Sequence, residues 1–256
     1  MNALILTYHA VEPGSSPLHV APDLFEEHLD CIVAAGAAVL TLAALAERIG
    51  RGKLDGPAVA ITFDDGIASV TDQAAPLLAE RGLVATVFCV PARLGGTSDW
   101  PSRTPGTPVF PLASAQDVAA LAEAGWEVGA HGLQHDPLDH LRFDRLVAEL
   151  AESRSRLEDA AGMAVRSFAF PYGAVPAEAP RALVAAGYDA ACGGRLALVT
   201  QGSDPLALPR VDAHYVRRPA LLHAALDGKL GTYLAARRLA ARTRRAVRKD
   251  YGMVAR

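Results

Sequence analysis

The chain has 256 residues, 51% of them hydrophobic, and a formal net charge of −3. That length suits one α/β barrel, the apolar fraction is enough for a large core, and the charge gives no whole-chain case for nucleic acid or a membrane. Cys31, Cys89 and Cys192 are odd in number, far apart and set in apolar contexts, which excludes a disulfide framework or a CxxC metal knuckle and predicts buried thiols in a reducing compartment.

The chain opens Met1-Asn2-Ala3-Leu4-Ile5-Leu6-Thr7-Tyr8-His9, without the basic n-region and long h-region of a signal peptide. No apolar run approaches the roughly 20 residues of a membrane span, so a cytoplasmic location is expected. Residues 4–8 read as a strand. Leu24, Leu29, Ile32 and Val33 then give a helical face behind Pro22-Asp23. Ala58–Phe63 is an apolar strand, followed by a helix over residues 71–81 that stops at Gly82. Residues 84–90 are β-branched and apolar, hence another strand.

Residues 91–112 are rich in Pro, Gly, Ser and Thr and contain Trp100. They predict a long loop on the strand-end face, forming one wall of a cleft. A helix over 118–124 ends at Gly125, residues 126–130 return to strand, and a long amphipathic helix runs from about Phe143 to Ala161. Segments 167–170, 189–192 and 207–211 are further strands, with a helix near 178–186. Repeated βα units imply parallel strands with helical crossovers, and such barrels carry their chemistry at the strand C-terminal ends. The tail from about Tyr233 carries Arg237, Arg238, Arg242, Arg244, Arg245, Arg248 and Lys249 against Asp250 alone, interrupted by Leu234, Leu239 and Val247. It predicts a solvated terminal helix, with contact to an anionic membrane surface or an acidic partner as the alternative. The expected organisation is one domain over 1–231 and a basic tail over 232–256.

Two strings fall where strands end. Thr62-Phe63-Asp64-Asp65-Gly66 sets two carboxylates at the close of an apolar strand. Gly66 permits a tight turn there. His131-Gly132-Leu133-Gln134-His135 sets two imidazoles four residues apart, a spacing that brings both to one ion. One carboxylate with two histidines makes an open site for a divalent metal ion, most simply zinc, with iron, cobalt or nickel fitting the same donors. The spare carboxylate is then free to act as a base, which is the equipment of a metal-assisted hydrolase. In Arg166-Ser167-Phe168-Ala169-Phe170-Pro171-Tyr172-Gly173, Pro171 and Gly173 shape a turn that aims the Tyr172 N–H into a cavity as an oxyanion donor.

In order, TFDDG, HGLQH followed by Pro137-Leu138, and FAFPYG resemble the first three motifs of the polysaccharide deacetylase family, the NodB-homology group also called carbohydrate esterase family 4. The resemblance runs over about residues 4–226. It implies an α/β fold, a distorted (β/α) barrel of about seven parallel strands. The activity it implies is hydrolytic removal of N-acetyl groups from an amino-sugar-containing glycan or glycan precursor, releasing acetate. Carried over by position, Asp64 is the general base, Asp65, His131 and His135 are the metal ligands, and Tyr172 offers its main-chain N–H to the tetrahedral intermediate.

The sequence departs from the family pattern in three places. Ala169 stands where many relatives have an arginine that holds the catalytic Asp. Arg166 or Arg210 is left to supply that guanidinium, and Arg210 is preferred because a charge within the apolar strand Leu208-Pro209-Arg210-Val211 needs a partner. The fourth motif has no clear match, although Asp212 follows Arg210. The histidine of the fifth motif is also missing, and Leu221-Leu222-His223 lies in what reads as a helix. His9 is the candidate general acid instead, since first and last strands are neighbours in a closed barrel. Ring opening of a small cyclic amide or ureide and non-catalytic carbohydrate binding are the other functions weighed, and acetate release separates all three. The expected partner is an acetylated amino-sugar substrate, with a membrane-proximal glycan precursor on the cytoplasmic face favoured over mature wall polymer.

Overall fold

The computed structural model describes residues 2–240. Its strands are β1 (Asn2–Tyr8), β2 (Ala10–Val11), β3 (His19–Val20), β4 (Ala38–Leu40), β5 (Ala58–Phe63), β6 (Thr86–Cys89), β7 (Glu127–Ala130), β8 (Ser167–Ala169), β9 (Ala190–Leu196), β10 (Val199–Thr200) and β11 (Leu208–Asp212). The α-helices are α1 (Pro22–Ala34), α2 (Leu42–Gly50), α3 (Ala75–Ala79), α4 (Ala115–Glu123), α5 (Phe143–Ala161), α6 (Ala179–Ala185) and α7 (Pro219–Leu226). From β1 the sheet runs through β5, β6, β7, β8, β9 and β11 and back to β1, every pairing parallel. This is a closed seven-stranded (β/α) barrel. Two short strands extend the ring to a nine-stranded sheet: β4 alongside β5, and β10 antiparallel to β1.

Strand side chains alternate between two layers, as a period of two requires. Leu4, Leu6, Tyr8, Val59, Ile61 and Phe63 join the core shared with the outer helices. Ala3, Ile5, Ala58, Ala60, Phe88, Ala169 and Cys192 form a second cluster with Leu42, Leu45 and Ile49 of α2, so α2 plugs one end of the barrel. Small residues dominate the interior because a narrow ring leaves little room for side chains. At Gly129 of β7 a Cβ would sit 2.5 Å from the Phe88 ring and 2.6 Å from Ser167 Oγ. The plugging helix is held by its N-terminal N–H groups: Glu127 Oε2 accepts from the Ala43 N–H and from the Thr86 hydroxyl, both at 2.9 Å.

Several elements differ from what the sequence predicts. Residues 38–50 hold β4 and α2, two short elements absent from the predicted pattern although Leu42, Leu45, Ala46 and Ile49 repeat at helical spacing. The predicted helix over 71–81 begins instead as a π-helical turn, Val70–Ala74, with the Ala75 N–H reaching back to the Val70 carbonyl. Pro76 follows directly, and its missing N–H removes one ordinary helical bond. On α1 the buried face is Phe25, His28, Leu29, Cys31 and Ile32, whereas Val33 points outward and is 52% exposed. All three cysteines are free and buried, as expected.

As far as it is described, the basic tail is helical and largely exposed, as expected, but it is also anchored to the barrel. Residues 231–240 are helical, Leu234 is fully buried, and Arg238 donates to the Leu196 carbonyl. The remaining tail charges, from Arg242 onward, lie outside the described residues. Among the described residues, no helix is long and apolar enough to cross a membrane.

Candidate metal centre

Inward strand positions recur every second residue, and the same parity carries past the strand ends. On β5 the series 58, 60, 62 leads to Asp64, on β7 the series 127, 129 leads to His131, and on β1 the series 3, 5, 7 leads to His9. Arg210 occupies an inward position of β11. Backbone bonds prolong the strands to fix these residues: the Asp64 N–H donates to the Tyr8 carbonyl at 3.0 Å and the His131 N–H to the Cys89 carbonyl at 2.9 Å.

Asp65 falls on the opposite parity, and its left-handed backbone (φ 72°) turns it back toward the barrel axis. His135 (φ 64°) and Tyr172 (φ 58°) share that conformation, and among the described residues these three are the non-glycine residues that do. Such backbone costs about 1–3 kcal/mol per residue and gathers at functional sites.

One ligand atom each from Asp65, His131 and His135 lies within 4.8 Å of the others, and all three residues are buried. Asp65 Oδ1 is 3.4 Å from His131 Nε2 and 3.2 Å from His135 Nε2. The chemistry of these atoms fits a cation. His131 Nδ1 donates to the Ala169 carbonyl at 2.8 Å, so in the neutral ring Nε2 presents a lone pair. That lone pair faces a carboxylate oxygen, and only a positive species between them turns repulsion into attraction. A fixed imidazole tautomer with Nε2 free is also the arrangement metal-binding histidines show. Burial pulls the His135 imidazole below its ordinary pKa, toward the neutral ligand form. Burial pulls His131 the same way, but Asp64 and Asp65 together outweigh it and raise the group.

Asp64 sits beside this triad without joining it. Its Oδ2 lies 3.9 Å from His131 Nε2, and Arg210 Nη1 donates to its Oδ1 at 2.6 Å. Burial alone would raise the Asp64 carboxyl, but Arg210, His131 and His9 hold it below the usual carboxylate range. Arg166 is far from this cluster, paired with Asp189 on the exposed surface. His9 Nδ1 lies 3.9 Å from Asp212 Oδ2, and His223 is on α7, bonded to Cys31 Sγ at 3.0 Å.

The 91–112 loop contributes side chains to the site. Trp100 stacks on the His135 ring at 4.0 Å and 22°. Ser102 Oγ donates to the His135 carbonyl at 3.0 Å and lies 2.9 Å from the Tyr172 hydroxyl. Glu149 of α5 accepts from the Leu133 N–H at 2.8 Å, securing the turn between the histidines. The sequence marks Trp100 only as a loop aromatic, and nothing in it pairs Ser102 or Glu149 with the histidine turn. Asp64, Asp65, His131, His135, His9, Arg210 and Tyr172 all line one cavity of about 1080 Å³.

A closed parallel barrel with its acidic and imidazole groups gathered at the strand C-terminal ends defines a hydrolase-type site. A family model for polysaccharide deacetylases matches residues 51–191, more than half of the chain, and the chain belongs to that family. Among curated proteins, YxkH of Bacillus subtilis (strain 168), named for polysaccharide deacetylase, is 24% identical over 185 residues, which is 72% of this chain and 61% of YxkH. IcaB from Ammonifex degensii superposes with a TM-score of 0.74 at 25% identity, covering 87% of this chain and 97% of that one. The Streptococcus pyogenes deacetylase PplD, solved with acetate, gives a TM-score of 0.71 at 19% identity over 83% and 92% of the two chains, a likeness of fold.

Proposed function

We propose that this protein is a metal-dependent N-deacetylase of amino-sugar-containing glycans or glycan precursors, with Asp65, His131 and His135 as the metal ligands. The observation that carries this is a buried, Arg210-clamped Asp64 outside but beside a buried carboxylate–bis-imidazole cluster, all lining one large cavity. A divalent cation there, zinc in the simplest case, supplies Lewis-acid polarisation of an amide carbonyl and lowers the pKa of an attacking water.

The chain's own groups then divide the remaining work. Asp64, ionised and tied through Oδ1, keeps Oδ2 free to accept the proton of the attacking water. The Tyr172 N–H, aimed by its left-handed backbone, is the donor for the developing oxyanion. His9, on the Asp212 side of the cavity, gives a proton to the departing amine, which cannot leave as an anion. The volume of the cavity favours a glycan over a small cyclic amide, since it reaches the upper end of the roughly 300–1,000 Å³ usual for small-molecule sites.

Acetate release from N-acetylglucosamine oligosaccharides is the direct test. The zinc-loaded protein should release acetate, lose that activity on chelation, and regain it when zinc is restored. Ring opening of hydantoin-like amides without acetate release would replace the proposal with the cyclic-amide activity.

A further inference from the structure

The three carboxylates that line the cavity are all engaged: Asp64 with Arg210, Asp65 with the two histidines, and Asp212 with His9 and the His214 N–H. Of the five arginines that line the cavity, Arg210 is paired with Asp64 and Arg103 donates to the Thr107 carbonyl within its own loop, while among the described residues Arg195, Arg237 and Arg238 have no carboxylate partner. Arg195 arrives on the outer end of β9, and Arg237 and Arg238 arrive on the 231–240 helix, all lining that cavity. Arg238 is tethered by donating to the Leu196 carbonyl. Arg237 is held over the Tyr215 ring at 5.0 Å and the Tyr233 ring at 5.9 Å, and its Nε is buried with no hydrogen-bond partner.

Cations gathered in a cleft repel one another and focus a positive field. Holding them there by an aromatic face and a carbonyl fixes their position without cancelling their charge. Planar guanidinium forks are matched to tetrahedral and carboxylate oxyanions. These arginines and the metal-site residues line the same cavity of about 1080 Å³, so a unit linked to the sugar at the metal centre shares that cavity with them.

On the basis of the deacetylase assignment above, we propose that Arg195, Arg237 and Arg238 form a subsite for an anionic group, phosphoryl or carboxylate, carried by the acetamido-sugar substrate. The preferred substrate is then an anionic acetamido glycan or precursor, and the basic residues at 237 and 238 serve the cavity rather than a membrane surface.

Calorimetric titration of the zinc-loaded full chain with N-acetylglucosamine, N-acetylglucosamine 1-phosphate and N-acetylmuramic acid tests this without requiring turnover. An anionic sugar should bind about tenfold tighter than the neutral one, as one charge-assisted hydrogen bond allows, and the preference should shrink as ionic strength rises. Whichever anionic sugar shows it identifies the group as phosphoryl or carboxylate. The R237Q/R238Q double variant should lose the preference and R237K/R238K should retain part of it. Equal affinity for neutral and anionic sugars in the native protein, or no binding of either anionic sugar, overturns the proposal. So does a preference untouched by R237Q/R238Q, which would seat the anion on the metal instead. A preference without acetate release from any sugar would leave the subsite standing and remove the deacetylase assignment. Acetate release with equal affinities would do the reverse.

Discussion

Arg210 and Asp64 are both almost wholly buried, with side-chain exposures of 10% and 5%. Their contact therefore differs in kind from a surface ion pair. Removing one partner leaves the other charged and desolvated, a loss of about 3–5 kcal/mol. Arg210→Gln should accordingly lower unfolding stability by about that amount in denaturant melts, and should cut acetate release by about a hundredfold by freeing Asp64 Oδ1. Native-like stability and rate would show that Asp64 needs no clamp. Arg210 was legible from one local oddity, a charge inside an apolar strand. Asp64 and His131 were legible as motif residues at strand ends, and the inward parity of β5 and β7 explains why those positions serve. The left-handed turns at Asp65, His135 and Tyr172 were not legible. Asp and His adopt a positive φ more often than other side chains, but still rarely, and Tyr172 carries no such signal, so the surrounding barrel imposes it.

The element that departs most from a simple βα repeat is the 91–112 loop. It carries its own small core, in which Trp100, Phe110 and Leu112 pack on Ala10, Ile67 and Val90. A bridge from Ile67 to Leu112 pins it to the barrel rim, and one from Thr97 to Pro111 closes the loop on itself. Its composition predicted a wall, and it also buttresses a proposed metal ligand through the Trp100 stack and the Ser102 bond. Trp100→Ala should weaken zinc affinity by about tenfold or more, the scale of outer-shell losses around a metal, as read by competition with a chromophoric chelator. Trp100→Phe, which keeps an aromatic face and most of the packing, should recover most of that affinity. Unchanged affinity in Trp100→Ala would reduce the loop to a wall alone. The neighbouring miss, β4 and α2, has a different origin. Leu42, Leu45, Ala46 and Ile49 are buried at helical spacing while Glu47 and Arg48 are exposed, but the strand is three residues long and the helix nine, and the alanines in and around them blur where one ends and the other begins.

At the scale of the whole molecule, closure of the ring accounts for what separate motifs cannot. The β1–β5 and β1–β11 pairings bring His9, Asp64 and Arg210 to one cavity although they lie far apart in the chain. The βα alternation made a parallel barrel legible, but the short outer strands β4 and β10 and the folding-back of residues 231–240 depend on contacts between distant segments. That fold-back completes the cavity wall with Arg237 and Arg238, where sequence alone pointed to a solvated charge run.

The account stands on a division of labour between two adjacent carboxylates, and zinc content measured beside acetate release in Asp64→Asn and Asp65→Asn tests it most directly. Asp64→Asn should keep about one zinc per chain and lose roughly 10²–10⁴ in rate, the scale of a lost general base, while Asp65→Asn should lose the ion and the activity together. A zinc-depleted Asp64→Asn, or an Asp65→Asn that holds its ion and turns over normally, would contradict the assignment.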